Sequence, residues 1–370
     1  MAAHWNLVLL DDSPVTAFAA DELQRLLGLM DESATFTTRR SAYDARVQEV
    51  LYVGRDAALD VPEVSDPALD DGIRIDVADC AGVVTGVNER SVLFAVYRLM
   101  TEAGCAFVRP GRAGEVVPRR DSAAIRVQVW ETPAYRHRGI CIEGGVSFEN
   151  VGEMVDWLPK VGLNTYFTQF FRPYEFFDRW YTHHNNPLLT PTPVSPATVD
   201  QFLADYGAML RQRGLLHHGV GHGWTARCLG LDVNGWYLTD NDAVDPQRRP
   251  WMALIDGQRR LFPGEDGDAA RGVAINTNLC YSDPEARQAL IDTIVAYCRT
   301  HREMDVVHIW LADTANNQCE CEACQRTTPA DLYVDMLNAV DAQLTALGLP
   351  TRLVFLLYLE LLWPPVQARF

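Results

Sequence analysis

Hydrophobic residues along the first 125 positions follow two rhythms. "HWNLVLL" and "EVLYVG" read as strands, and "GIRIDVA" with "AGVVTGVN" reads as a hairpin pair. "PVTAFAADELQRLLGLM" has the spacing of an amphipathic helix. In "ERSVLFAVYRLMTEAG" the residues Val92, Ala95, Val96, Leu99 and Met100 form one apolar stripe, which predicts a second helix. Helices laid on a small mixed sheet are the layer arrangement this order implies. Glycines and prolines in "FVRPGRAGEVVP" mark the exit from the domain.

From about residue 133 the units lengthen. "HRGICIE", "LNTYFTQF", "LLHHGVGHG", "VVHIWLAD" and "RLVFLLYLELL" are strand candidates, separated by helices expected near 149–160, 197–213, 284–300 and 331–347. A long excursion runs from about 224 to 282, with "GVAINTNL" as an extra strand inside it, and loops of that size usually carry function. "CIEGGVSFEN" does not make the glycine-rich phosphate loop of a doubly wound sheet. Polar residues close every strand instead: Glu143, Gln169, His222, Asp313 and Glu360. That is the pattern of a barrel whose active site lies at the C-terminal ends of its strands. The expectation is an α/β protein, with a small α+β sheet domain over 1–125 followed by a (β/α)8 TIM-type barrel over 126–370. Only five strands fit before Phe370, so the barrel is expected to be incomplete at the C-terminus.

Composition narrows the partners. The formal net charge of -17 argues against nucleic acid and anionic lipid, both of which require concentrated positive charge. No apolar run reaches the length of a membrane span, and the first ten residues lack a charged leader and cleavage site. A cytoplasmic location is the default, with secretion or a periplasmic location the alternative had a leader been removed. Nine cysteines scattered over 370 residues do not form a secreted disulfide framework.

Strand alternation in "RLVFLLYLELL" puts Arg352, Val354, Leu356, Tyr358 and Glu360 on one face and only apolar residues on the other. Tyr358 and Glu360 are then expected at the rim, one strand from Asp313. Two carboxylates so placed divide the acid, base or nucleophile duties of glycosidic cleavage, which makes Asp313 and Glu360 the expected catalytic pair. Glu143, beside Gly144 and Gly145, is either an acceptor for a substrate hydroxyl or an ion-pair partner of Arg138. His218 and His222 suit hydrogen bonding to sugar hydroxyls, and Trp224 offers an apolar face for a pyranose ring. Tyr358 and Trp363 complete the expected substrate contacts. Trp236, Tyr237, Arg249, Trp251 and Arg260 in the excursion are further wall residues. Cys319, Cys321 and Cys324 form C-x-C-x-x-C, which fits a structural zinc site, a disulfide or packed thiols. Cys280 and Cys298 are candidates for a fourth ligand. No cofactor is required for the chemistry, and the expected partner is a carbohydrate.

Several of these stretches also carry a resemblance. "DGIRIDVADCAGVVTGVNERSVLFAVYRLMTEAGCAFVRPGRAGEVVP" is similar to the small domain preceding the barrel in α-glucuronidases and β-hexosaminidases. "RHRGICIEG", "GHGWTARCLG", "NTNLCYSDPEAR", "ADTANNQCECEAC", "YVDMLNAV" and "YLELLWPP" together resemble a bacterial family of glycoside-hydrolase-like TIM-barrel proteins of unassigned function bearing a CxCxxC motif. The resemblance implies a sugar-active barrel with its catalytic acid after the fourth strand: a glycoside hydrolase acting on an oligosaccharide or polysaccharide containing amino-sugar or uronic acid units. In β-hexosaminidases that strand ends in an Asp-Glu pair. Asp313 matches the aspartate, but Thr314 stands in place of the glutamate. The alternative reading is therefore a non-catalytic carbohydrate-binding protein on a hydrolase scaffold.

Overall fold

The first helix begins where the sequence supplies both a cap and a preset first turn. The computed structural model describes residues 3–370. In it α1 (Pro14–Met30) starts at Ser13, whose hydroxyl accepts the Val15 N–H, with Pro14 holding the first turn. It follows β1 (His4–Leu9), which pairs in parallel with β2 (Thr35–Arg40) on one side and β3 (Leu51–Val53) on the other. β4 (Ile73–Ala78) and β5 (Ala81–Gly86) form an antiparallel hairpin. Asp79 and Cys80 between them both take positive φ, as a two-residue turn matching strand twist requires. The strand Arg126–Glu131 joins β4, giving a six-stranded sheet in the order β2, β1, β3, β5, β4 and 126–131. Asn88 caps α2 (Glu89–Glu102) by accepting the Ser91 N–H. Trp5, Leu7, Leu23, Leu26, Leu27, Leu51, Val92 and Leu99 are fully buried. Burying such side chains is the main favourable term in holding the layers together, about 1.5–3 kcal/mol for each.

The chain divides into two compact units. One runs to Ile140 and adds Ser147–Tyr166 and Gln201–Leu216; the other comprises Cys141–Val146, Phe167–Asp200 and His217–Phe370. Inside the first unit buried charges are closely matched. Asp71 accepts from Arg90 Nε and from an Arg138 guanidinium nitrogen, each at 2.7 Å, and from the Asn164 amide at 3.1 Å. Lys160 pairs with Glu115 at 2.8 Å and with Asp156.

A second sheet takes its five strands in chain order: Gly139–Cys141, Thr165–Thr168, Leu216–Gly219, Val306–Ile309 and Arg352–Phe355. The third and fourth strands, and the fourth and fifth, pair in parallel. Helices separate successive strands: α3 (Phe148–Trp157), α4 (Tyr174–Tyr181) and α5 (Pro196–Gln212), α6 (Trp224–Cys228) and α7 (Pro284–Thr300), and α8 (Pro329–Ala346). Sequential parallel strands joined through helices make this the α/β architecture of a TIM-type barrel, preceded by the six-stranded sheet.

Two expectations about local structure need correction. The strands are shorter than their apolar runs: one ends at Ile309, before Trp310, and the last ends at Phe355, before Leu356. Alternation therefore cannot be extended to Asp313, Tyr358 or Glu360, and Glu360 instead lies in a 3-10 turn, Leu359–Leu362. In the excursion, "GVAINTNL" contributes only Gly272 and Val273 to a strand, Arg271–Val273, which pairs antiparallel with Leu238–Asp240.

Candidate active site and cysteine metal centre

Side chains of the second unit converge beyond the strand ends, and the backbone there is strained. Val220, Thr314 and Leu359 all adopt positive φ (46°, 81° and 48°) although none is glycine. Each conformation costs about 1–3 kcal/mol and persists only when its surroundings enforce it. Val220 lies two residues before His222, Thr314 follows Asp313, and Leu359 precedes Glu360. The three distortions thus sit where three expected site residues emerge.

Asp313 is half-buried and held from several directions. Its backbone N–H donates to Ile275 O at 3.0 Å. Oδ2 accepts the Trp236 indole N–H at 2.8 Å, and Oδ1 accepts the Thr314 N–H at 2.8 Å. Tyr358 lies beside the same carboxylate. Its phenol is pushed up by burial first, then by the Asp313 charge, with Glu360 contributing last. Below the aspartate, the fully buried Asn317 amide donates to Asp313 O at 2.8 Å and Asn276 O at 3.0 Å and accepts from Asn278 at 2.8 Å. Glu360 accepts the Asn316 N–H at 2.9 Å.

His222 occupies an aromatic wall. Its backbone N–H donates to Gln169 O at 2.8 Å, and its ring stands edge-on to Trp310 (4.7 Å between centroids) and Trp236 (5.4 Å), and tilted beside Phe170 (5.4 Å). Burial pushes the imidazole down to about 4, against the opposing pull of the Asp313 and Glu143 carboxylates. Glu143 accepts the Gln169 amide at 2.8 Å. Arg138, its alternative partner from sequence, is committed to Asp71, so the ion-pair reading of Glu143 is set aside.

Other expected contacts fall elsewhere. Trp224 is 1% exposed and donates its indole N–H to His308 O at 2.8 Å, so it builds the core and presents no open face to a sugar. His218 is buried and shares a 3.1 Å hydrogen bond with His308, which stacks on Phe167. Trp363 is 74% exposed. Trp310 and Asn317 were not marked by sequence: the tryptophan sat inside an apolar run, and nothing in "ADTANNQC" distinguishes a buried amide from a loop asparagine.

The cysteines do converge. Cys280 joins Cys319, Cys321 and Cys324, with all four sulfurs within 4.8 Å of one another, positioned to chelate a metal ion. Cys298 is not part of the group. Cys280 Sγ lies 3.6 Å from Cys321 Sγ and 3.9 Å from Cys324 Sγ. Four thiolates about 2.3 Å from a central zinc ion stand about 3.8 Å apart, so the set fits a tetrahedral structural site. A disulfide requires about 2.05 Å, and all nine cysteines are free thiols, which removes that alternative. Hydrogen bonds from the Cys319 and Cys324 thiols hold Cys280 well below the usual thiol range. Around the sulfurs, the Leu254 N–H donates to Cys319 Sγ at 3.3 Å and the Cys324 N–H to Cys321 Sγ at 3.5 Å, while the Arg259 guanidinium reaches Cys280 Sγ at 4.0 Å. Donors of this kind orient thiolates and offset their charge. Among the described residues no histidine belongs to a group able to hold a metal.

No family model matches the chain, and no curated protein sequence matches it. Solved structures do. A family GH115 4-O-methyl-α-glucuronidase with specificity for decorated arabinogalactans is 11% identical, with a TM-score of 0.51, covering 98% of this chain and 43% of its own. The GH20 β-N-acetylhexosaminidase from Streptomyces coelicolor A3(2) is 13% identical, with a TM-score of 0.47, covering 96% of this chain and 63% of its own. A GH138 enzyme targeting pectin rhamnogalacturonan II is 11% identical, with a TM-score of 0.48 and coverages of 93% and 34%. The chain therefore spans less than two thirds of the length of each of these structures. At such identities the likeness to the α-glucuronidase is one of fold, and it agrees with the strand order of the second sheet.

Proposed function

We propose that the second unit hydrolyses a glycosidic bond in an oligosaccharide or polysaccharide, with Asp313 and Glu360 as the reacting carboxylates. The observation that carries this reading is the fixation of Asp313. The Trp236 indole and the Thr314 N–H hold its two carboxylate oxygens, Asn317 anchors its backbone, and the chain around it is strained. Cleavage requires one group to protonate a poor leaving oxygen while another carboxylate meets the positive charge developing on the sugar ring. Glu143 and His222 are the substrate-hydroxyl contacts in this scheme, and Trp236, Trp310 and Tyr358 supply ring faces. The cysteine-bound metal would hold the loop that follows Asp313 and takes no part in bond breaking.

Thr314 favours one rival reading. It stands where the β-hexosaminidase resemblance expects the proton-donating glutamate, so the scaffold would bind sugar without cleaving it. A panel of aryl glycosides, assayed beside a glycan array, separates the two. Turnover lost in D313N and E360Q with binding retained supports hydrolysis, whereas binding without turnover in the wild type refutes it.

A further inference from the structure

Resting on that reading, we infer that the site takes a sugar carrying a protonated amino group and rejects uronic acids. The site is rich in hydrogen-bond acceptors and short of free donors. Glu143, Asp313 and Glu360 are acceptors, and the donors nearest them are already committed: the Trp236 indole to Asp313, the Gln169 amide to Glu143 and Ile142 O, and the Asn316 N–H to Glu360. His222 adds an independent sign of a missing ligand. Its side chain is 7% exposed, and its Nδ1 is buried without a partner among the rings of Trp310, Trp236 and Phe170. A buried ring nitrogen left unpaired is costly, and a donor arriving with the ligand relieves that cost. Because burial holds the imidazole neutral at physiological pH, it offers a lone pair and no charge to oppose a cation.

Several of the cations that could receive a sugar carboxylate are already committed. The chain's single lysine, Lys160, belongs to the first unit and pairs with Glu115 and Asp156. In the second unit Arg172 is turned to Asp200, Arg179 to Glu175, Arg249 to Asp242, and Arg259 to Met252 O and Cys280. A uronate here would face the like charge of Glu143, Asp313 and Glu360, while an ammonium would find charge-assisted acceptors.

Calorimetric titration of the full chain with glucosamine oligomers, their N-acetylated counterparts and oligogalacturonates tests this. The free-amine oligomer is expected to bind roughly tenfold or more tightly than the acetylated one, with no galacturonate binding. Its affinity should fall roughly tenfold from about pH 6 to about pH 9 as an amine of pKa about 8 loses its proton. E143Q should weaken binding of the free-amine oligomer more than that of the acetylated one, which keeps only the hydroxyl contact, so the ratio between them should fall toward one. Equal or tighter binding of acetylated or uronate oligomers, a flat pH profile, or no binding of any oligomer overturns the inference. Amine-selective binding without turnover would sink the hydrolase reading alone. Hydrolysis of neutral or uronate substrates with no preference for the amine would sink this inference alone.

Discussion

Serine at position 280 tests the metal centre most directly, because Cys280 is the ligand supplied from outside the C-x-C-x-x-C cluster. A bridge from Cys280 to Cys321 spans 41 positions along the chain. Closing a loop of that length removes about 4 kcal/mol of unfolded-state entropy. C280S leaves three sulfurs for a four-coordinate ion and opens the loop. It should therefore lose bound zinc and lower the unfolding free energy of the second unit by about 4 kcal/mol. A chelator should produce a similar loss in the wild type and little further change in C280S. C298S is the control: Cys298 is buried in α7 and outside the sulfur group, so its substitution should cost about 1–3 kcal/mol for a buried hydroxyl and leave metal content intact. Elemental analysis after gel filtration, with urea unfolding in the presence and absence of chelator, reads both quantities. Full metal content in C280S, metal loss in C298S, or a wild type indifferent to chelator would refute the four-thiolate centre.

The carboxylate and histidine assignments give further tests. D313N should lower kcat roughly a hundred- to ten-thousandfold in a glycosidase assay, the range for removing an acid–base group. W236F removes one hydrogen bond to a charged carboxylate, so kcat/KM should drop roughly ten- to a hundredfold, with circular dichroism unchanged. His222 is held down to about 4 from an ordinary value of 6.5. The unfolded state then binds more protons between those values, so the stability contribution is complete above about pH 6.5 and is lost as pH falls toward about 4. The span corresponds to about 3 kcal/mol, and H222Q should flatten the acid limb of a plot of urea midpoint against pH. D71A strands the buried Arg90 guanidinium and should cost about 3–5 kcal/mol in the first unit, read by thermal unfolding.

Helix positions were legible because their signals are local. The amphipathic spacing of residues 14–30 and the stripe of Val92, Ala95, Val96, Leu99 and Met100 announce α1 and α2 before any tertiary contact is considered. α4 escaped notice because "YEFFDRWY" is short and rich in aromatics that fit either a helix or a loop. The order of the barrel strands was readable from apolar runs separated by amphipathic segments, but their lengths were not. Trp310, Leu311 and Ala312 continue the apolar pattern after the strand has ended at Ile309, since burial beyond a strand selects the same residue types. That is why alternation could not be carried past Phe355 to Tyr358 and Glu360, while the identities of these residues and of Asp313 were still visible. Cys280 was one of two distant thiols that spacing could not rank. The fold ranks them by bringing the turn after Leu279 against the loop at Cys319, and it leaves Cys298 inside α7.

Lys160 has a practical consequence. The only side-chain amine in the chain lies beneath the surface, 2% accessible and locked between two carboxylates. Succinimidyl esters, aldehyde fixatives and acetyl donors therefore find no exposed lysine to modify. Apart from histidines, the side-chain cations at the surface are guanidinium groups, whose charge does not change across any working pH.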